Sequence, residues 1–255
     1  MDESKFKKLQ IAREALKDIF EQAKAKDEFE YGCALLRVRG LEGFGWDPLQ
    51  ESQTLLLQTL SLANGPVDGN FRVRLLLLAY CHAIEMNFAY DMIANMIQIS
   101  QGERYCMNWF DEEFTPIPFK RECAMYPREK IARIQEWAKR AQQDKINEFL
   151  PEILLKDVRN AFDHSDYVLY GDELRIIKVN ERPKVYKLSE LIPKLEFGIN
   201  FVLMVIGLTK EGIFAYKENK IVPSRLETDP RMNMVLIADS HIGLWGFQSR
   251  PKQNN

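Results

Sequence analysis

The sequence predicts a mainly α-helical protein: a helical bundle that carries a small β-hairpin insertion and ends in a short C-terminal α+β extension. Apolar residues recur at helical spacing over long stretches, most plainly at Phe6, Leu9, Ala12, Leu16, Ile19, Phe20 and Ala23. Around Ser165 that periodicity changes, and Tyr167 to Val179 reads as two short strands about a Gly171-Asp172 turn. The 255 residues are 46% hydrophobic, which is ample for a sizeable core.

The elements follow in order. One amphipathic helix is expected from Phe6 to Phe29, then a loop over Gly40 to Pro48, where three glycines and a proline interrupt the pattern. Leu49 to Leu62 reads as a second helix, stopped by Asn64-Gly65-Pro66. A third, from about Phe71 to Ser100, is apolar nearly all round and belongs in the core. An irregular stretch with Pro116 and Pro118 follows, and Pro127 suits the first turn of a helix reaching about Lys145. Another helix starts near Pro151 and carries Ile153, Leu154, Leu155, Val158 and Phe162. After the hairpin, Lys184 to Leu188 is extended, and Ser189 can cap a helix from Glu190 to about Leu208. Met234 to Ile237 and Gly243 to Phe247 read as strands. The expected division is an N-terminal helical extension over 1–65, a helical domain with the hairpin over 66–210, and a C-terminal extension over 211–255.

Charge narrows the function classes. Against 37 acidic residues stand 35 basic ones, so no broad phosphate-coating surface is expected, although a local basic cleft is compatible. Four cysteines (Cys33, Cys81, Cys106, Cys123) form no C-x-x-C pair, and there are only three histidines; no metal and no cofactor is expected. The charged start Met1-Asp-Glu-Ser-Lys lacks the look of a signal peptide. The most apolar run, Ile199 to Leu208, is about half of what a membrane span needs. Together these predict a cytoplasmic protein.

The segment Lys156-Asp-Val-Arg159-Asn160-Ala-Phe-Asp163-His164-Ser-Asp166-Tyr167 carries the functional expectation. Asn160 and His164 stand four apart and share one helix face. Arg159 and His164, five apart, are separated by about 140° on a straight helix. They reach one phosphate only through a distortion at the helix end or a cleft shared by two protomers. An arginine there offers a fork of donors to phosphate oxygens, a histidine moves protons, and an asparagine orients either.

This segment resembles the signature of the HEPN superfamily, in which an Arg, a polar residue, three variable positions and a His close a helix of a small bundle. The similarity extends to the long helix before it and the hairpin and helix after it, over roughly Phe71 to Leu208. It implies a HEPN-like bundle and a metal-independent endoribonuclease with Arg159, Asn160 and His164 as catalytic residues. It further implies RNA as substrate, a homodimer bringing two motifs together, and a setting in stress response or anti-phage defence, with room for a regulatory protein partner. The alternative is a non-catalytic HEPN-like module for protein or nucleotide binding.

A second constellation lies on the apolar helix. His82 and Glu85, one turn apart, are polar residues where burial demands partners. They are expected to support the motif, with Glu85 paired to Arg159, or else to fix helix packing as an internal ion pair. Arg74 shares their face but is too far along the helix to reach Glu85. Asn87, Asp91 and Asn95 form a stripe expected to be solvated or at an interface. Tyr105, Trp109 and Phe110 suit core packing or base stacking. Asp239-Ser240-His241 is consecutive and so makes no hydrolase triad.

Overall fold

The computed structural model describes residues 3–37, 48–110, 126–177, 182–223 and 232–251. The loop expected over 40–47, the prolines Pro116 and Pro118, and Cys123 lie outside these residues. The first helical stretch is two helices rather than one: α1 (Glu3–Lys26) and α2 (Glu28–Leu36). Asp27 divides them, because its carboxylate accepts the Glu30 N–H at 3.1 Å and starts a new helix where hydropathy alone continues the old one. Helix α3 (Pro48–Ala63) stands as expected.

The long apolar stretch also divides, into α4 (Gly69–Glu85) and α5 (Asn87–Ser100), with Met86 extended between them. Neither glycine nor proline marks the break. It is held by the buried Tyr90, whose hydroxyl donates to the Ile84 carbonyl at 2.8 Å and satisfies a group that the interrupted helix leaves open. Helix α6 (Pro127–Arg140) begins at its proline, with the Tyr126 N–H donating to Glu129 Oε2 at 2.9 Å. It ends before Lys145, because Gln142 takes a left-handed φ of 58° and the chain restarts as α7 (Asp144–Phe149).

A 3₁₀ turn over Leu150–Ile153 leads into α8 (Lys156–Asp163), the motif helix. Strands β1 (Tyr167–Tyr170), β2 (Glu173–Ile176) and β3 (Lys184–Lys187) form an antiparallel sheet in that order, turning at Gly171 with φ 58°. Helix α9 (Leu188–Phe214) then begins directly, and Ser189 does not cap it. The Leu188 N–H is taken instead by the Asp172 carbonyl at 2.8 Å. A second antiparallel sheet, β4 (Lys220–Val222), β5 (Met232–Asp239) and β6 (Gly243–Pro251), closes the described chain. The fold is mainly helical with two small three-stranded sheets.

Helix α9 is 27 residues long, so the apolar run judged short in the sequence belongs to a longer element. By length and composition it is the one described helix able to cross a membrane, and more than half of its apolar stretch is buried in the bundle. It lies against α1, α2, α4 and α5, and α1 also packs on α5. Two glycines let it approach so closely. A Cβ at Gly198 would sit 2.7 Å from the Tyr80 ring, and one at Gly212 2.7 Å from the Tyr31 hydroxyl. Gly212 therefore continues the helix past Leu208 despite its poor helix propensity, because packing outweighs propensity there.

Candidate functional site

Helix α8 is fixed before it presents any chemistry. Tyr80 of α4, fully buried, donates its hydroxyl proton to the Ile153 carbonyl at 3.0 Å and accepts the Leu155 N–H at 2.5 Å. Val158 and Ala161 bury the inner face of α8, and a Phe162–Tyr167 ring stack (5.8 Å) ties its end to β1. Lys184 of β3 bonds the Asp157 carboxylate from the other side.

The motif helix ends in a Schellman turn. The Asp166 N–H reaches the Ala161 carbonyl at 2.8 Å and the Ser165 N–H reaches Phe162 at 3.1 Å, with Ser165 left-handed at φ 59°. His164 is the C-cap, outside the regular helix. The His164 N–H still donates to the Asn160 carbonyl at 3.0 Å, so the left-handed turn begins only after it. Arg159, Asn160 and His164 line one cavity of about 320 Å³ within a single chain.

Arg159 is held on three sides. Its Nε and Nη2 lie 2.8 and 2.6 Å from Glu85 Oε1, its Nε 3.0 Å from Asp163 Oδ2, and its Nη1 donates to Asn160 Oδ1 at 3.0 Å. The expected Glu85–Arg159 contact is thus present, although both N–H groups converge on one carboxylate oxygen. Burial by itself works against the guanidinium charge; the hydrogen bond and charge of Glu85, then Asp163, outweigh it and raise the pKa above the ordinary arginine value. The Asn160 Oδ1 is engaged, and its amide N–H groups have no partner among the described residues. The His164 ring is exposed and makes no hydrogen bond among the described residues.

No protein-family model matches this chain, and no curated protein or solved structure matches it significantly. Its chemistry therefore rests on the geometry.

His82 takes no part in the site. Its Nε2 lies 2.9 Å from the Ser52 carbonyl oxygen of α3, so it joins two helices rather than supporting Arg159, and it forms no ion pair with Glu85. Glu85 is not interior: as the last residue of α4 its side chain is 42% exposed. Arg74 is exposed on α4 and outside the cavity. Asn95, expected on a solvated stripe, is buried; it accepts from Cys106 N and Trp109 Nε1 and donates to the Asp91 and Cys106 carbonyls, pinning the chain after α5. Trp109 and Phe110 pack on Trp137 at ring distances of 5.9 and 5.7 Å, which commits their faces to the core. His241 is exposed in the β5–β6 turn.

Sequence reasoning missed Arg128 and Lys156, which line the same cavity together with Tyr126 and Glu129. A signal for Lys156 was present: Lys156, Asn160 and His164 form an i, i+4, i+8 stripe. Nothing local points from Arg128 to α8, because the fold brings the start of α6 there. Among the described residues, no three His, Cys, Asp or Glu side chains converge to hold a metal ion.

Proposed function

We propose that this chain is a HEPN-like helical bundle acting as a cytoplasmic, metal-independent endoribonuclease, working as a symmetric dimer in stress response or antiviral defence. One observation carries it: the Arg159 guanidinium, the Asn160 amide and the His164 imidazole, unpartnered among the described residues, line one cavity beside further cations. In the proposed reaction a ribose 2′-oxygen bonds to the adjacent phosphorus and the P–O5′ bond breaks, leaving a 2′,3′-cyclic phosphate and a 5′-hydroxyl. His164 moves the proton, taking it from the 2′-hydroxyl or delivering it to O5′. The remaining Arg159 N–H groups and the Asn160 amide bind the non-bridging oxygens as charge builds.

A second reading, a non-catalytic nucleotide-binding module, is favoured by one feature. Two carboxylates, Glu85 and Asp163, already offset the Arg159 charge. Incubating RNA with the protein in EDTA separates the two. Wild type should cut, and His164→Ala should slow cutting by about a hundredfold or more, the usual scale of general acid–base catalysis. Survival of all RNA substrates with wild type leaves the binding module in its place, and equal cutting by His164→Ala removes His164 from the reaction.

A further inference from the structure

We infer that Arg128 and Lys156 form a phosphate subsite with Tyr126 as its stacking wall, so that the cavity takes a single unpaired nucleotide of a single-stranded nucleic acid. The inference rests on the proposed nucleic-acid role of the cavity and specifies what enters it. Arg159 is poorly suited to be the main phosphate anchor, because three of its five N–H groups are engaged by Glu85, Asp163 and Asn160 and two carboxylates offset its charge. Arg128 and Lys156 are exposed cavity residues that form no ion pair among the described residues. Among the described residues, then, neither charge is offset by a carboxylate partner.

Three further features agree. The carboxylate of Glu129, the one acidic side chain among the described residues of the wall, accepts the Tyr126 N–H and is partly occupied. Tyr126 is 55% exposed and lines the cavity, a position that suits stacking on a base. Arg128 also lies in the first turn of the 14-residue α6, whose positive end adds to the attraction for an anion.

Size selects the class of ligand. A cavity of about 320 Å³ is at the small end of ligand sites and admits about one nucleotide, not a stacked pair. For the base to reach Tyr126 while its phosphate meets Arg128 and Lys156, that base must be unstacked and unpaired. Single strands meet this condition and duplexes resist it.

The test measures binding separately from cleavage. The probe is a fluorescent single-stranded oligonucleotide, 2′-O-methylated throughout so that it lacks the attacking hydroxyl, alone or annealed to its complement. Wild type and His164→Ala should both bind the single strand more tightly than the duplex. Arg128→Ala and Lys156→Ala should each weaken binding and lower the slope of log affinity against log salt by about 0.7, the contribution of one phosphate contact in a single strand. Tyr126→Ala should lose about tenfold in affinity and Tyr126→Phe should restore it.

No binding of the single strand, equal affinity for the duplex, or salt slopes unchanged in both charge variants overturns the subsite. If RNA is cut by wild type while the two charge variants bind normally, the subsite falls and the cleavage reading stands. If binding depends on Arg128 and Lys156 but no RNA is cut, the cleavage reading falls and the subsite stands.

Discussion

At the scale of single residues, Glu85 is paired with Arg159. Its side chain is 42% exposed and that of Arg159 20%, so the pair contributes about 1 kcal/mol or less to folding. Its consequence for geometry is larger, because it fixes two of the three guanidinium nitrogens. Glu85→Gln should therefore leave the urea midpoint almost unchanged while cleavage slows on the order of tenfold to a hundredfold, the cost of a misplaced catalytic group. Equal losses in stability and rate would reduce the pair to a packing contact. The contact was legible in the sequence for a reason that was half right. A carboxylate in an apolar stretch does need a partner, but the break at Met86 makes Glu85 a helix end rather than an interior residue. His82 satisfied the same demand with a backbone carbonyl on α3, and no side-chain pattern announces a carbonyl partner. Asn95 escaped for a similar reason, since its partners come from a segment with no periodicity.

At the scale of elements, hydropathy marked where helices run and missed where they stop. The breaks at Asp27, Met86 and Gln142 all fall inside continuing apolar patterns. Each is stabilised by hydrogen bonds that depend on a cap, a turn or a distant hydroxyl. The hairpin was legible because Gly171-Asp172 states its turn outright, whereas the start of α9 depends on the Asp172 carbonyl in space. The element that matters most to the site is the link into α8, held by Tyr80. Tyr80→Phe keeps the ring against Gly198 but leaves the Ile153 carbonyl and Leu155 N–H without this partner. It should cost about 1–3 kcal/mol, the penalty for unsatisfied buried polar groups, and hydrogen exchange should speed up at the start of α8 before it does in α5. Uniform loss of protection across all helices would deny Tyr80 this local role.

At the scale of the whole molecule, α3 and α4 each present an apolar stripe that stays exposed among the described residues. Leu55 and Leu62 on α3, and Phe71 and Leu78 on α4, are 44%, 59%, 46% and 41% exposed. Each pair is seven residues apart and so shares a stripe of its helix. The His82–Ser52 hydrogen bond ties α4 to α3. Helix α3 also carries a single charged residue, Glu51, in its 16 residues, which is unusual for a helix facing only water. The stripe on α4 continues from Phe71 and Leu78 to Glu85 one heptad further, and so runs directly to the Arg159 pair. A second copy related by a twofold axis would cover this face with its own equal and bring two Arg159–Glu85 pairs toward the interface, as the proposed dimer requires. Light scattering at tens of micromolar should report a dimer. Leu62→Glu with Leu78→Glu should convert it to a monomer of unchanged helical circular dichroism, because both side chains are exposed in the single chain. A monomeric wild type would refute the dimer, and a dimer that survives both substitutions would place its interface away from α3 and α4.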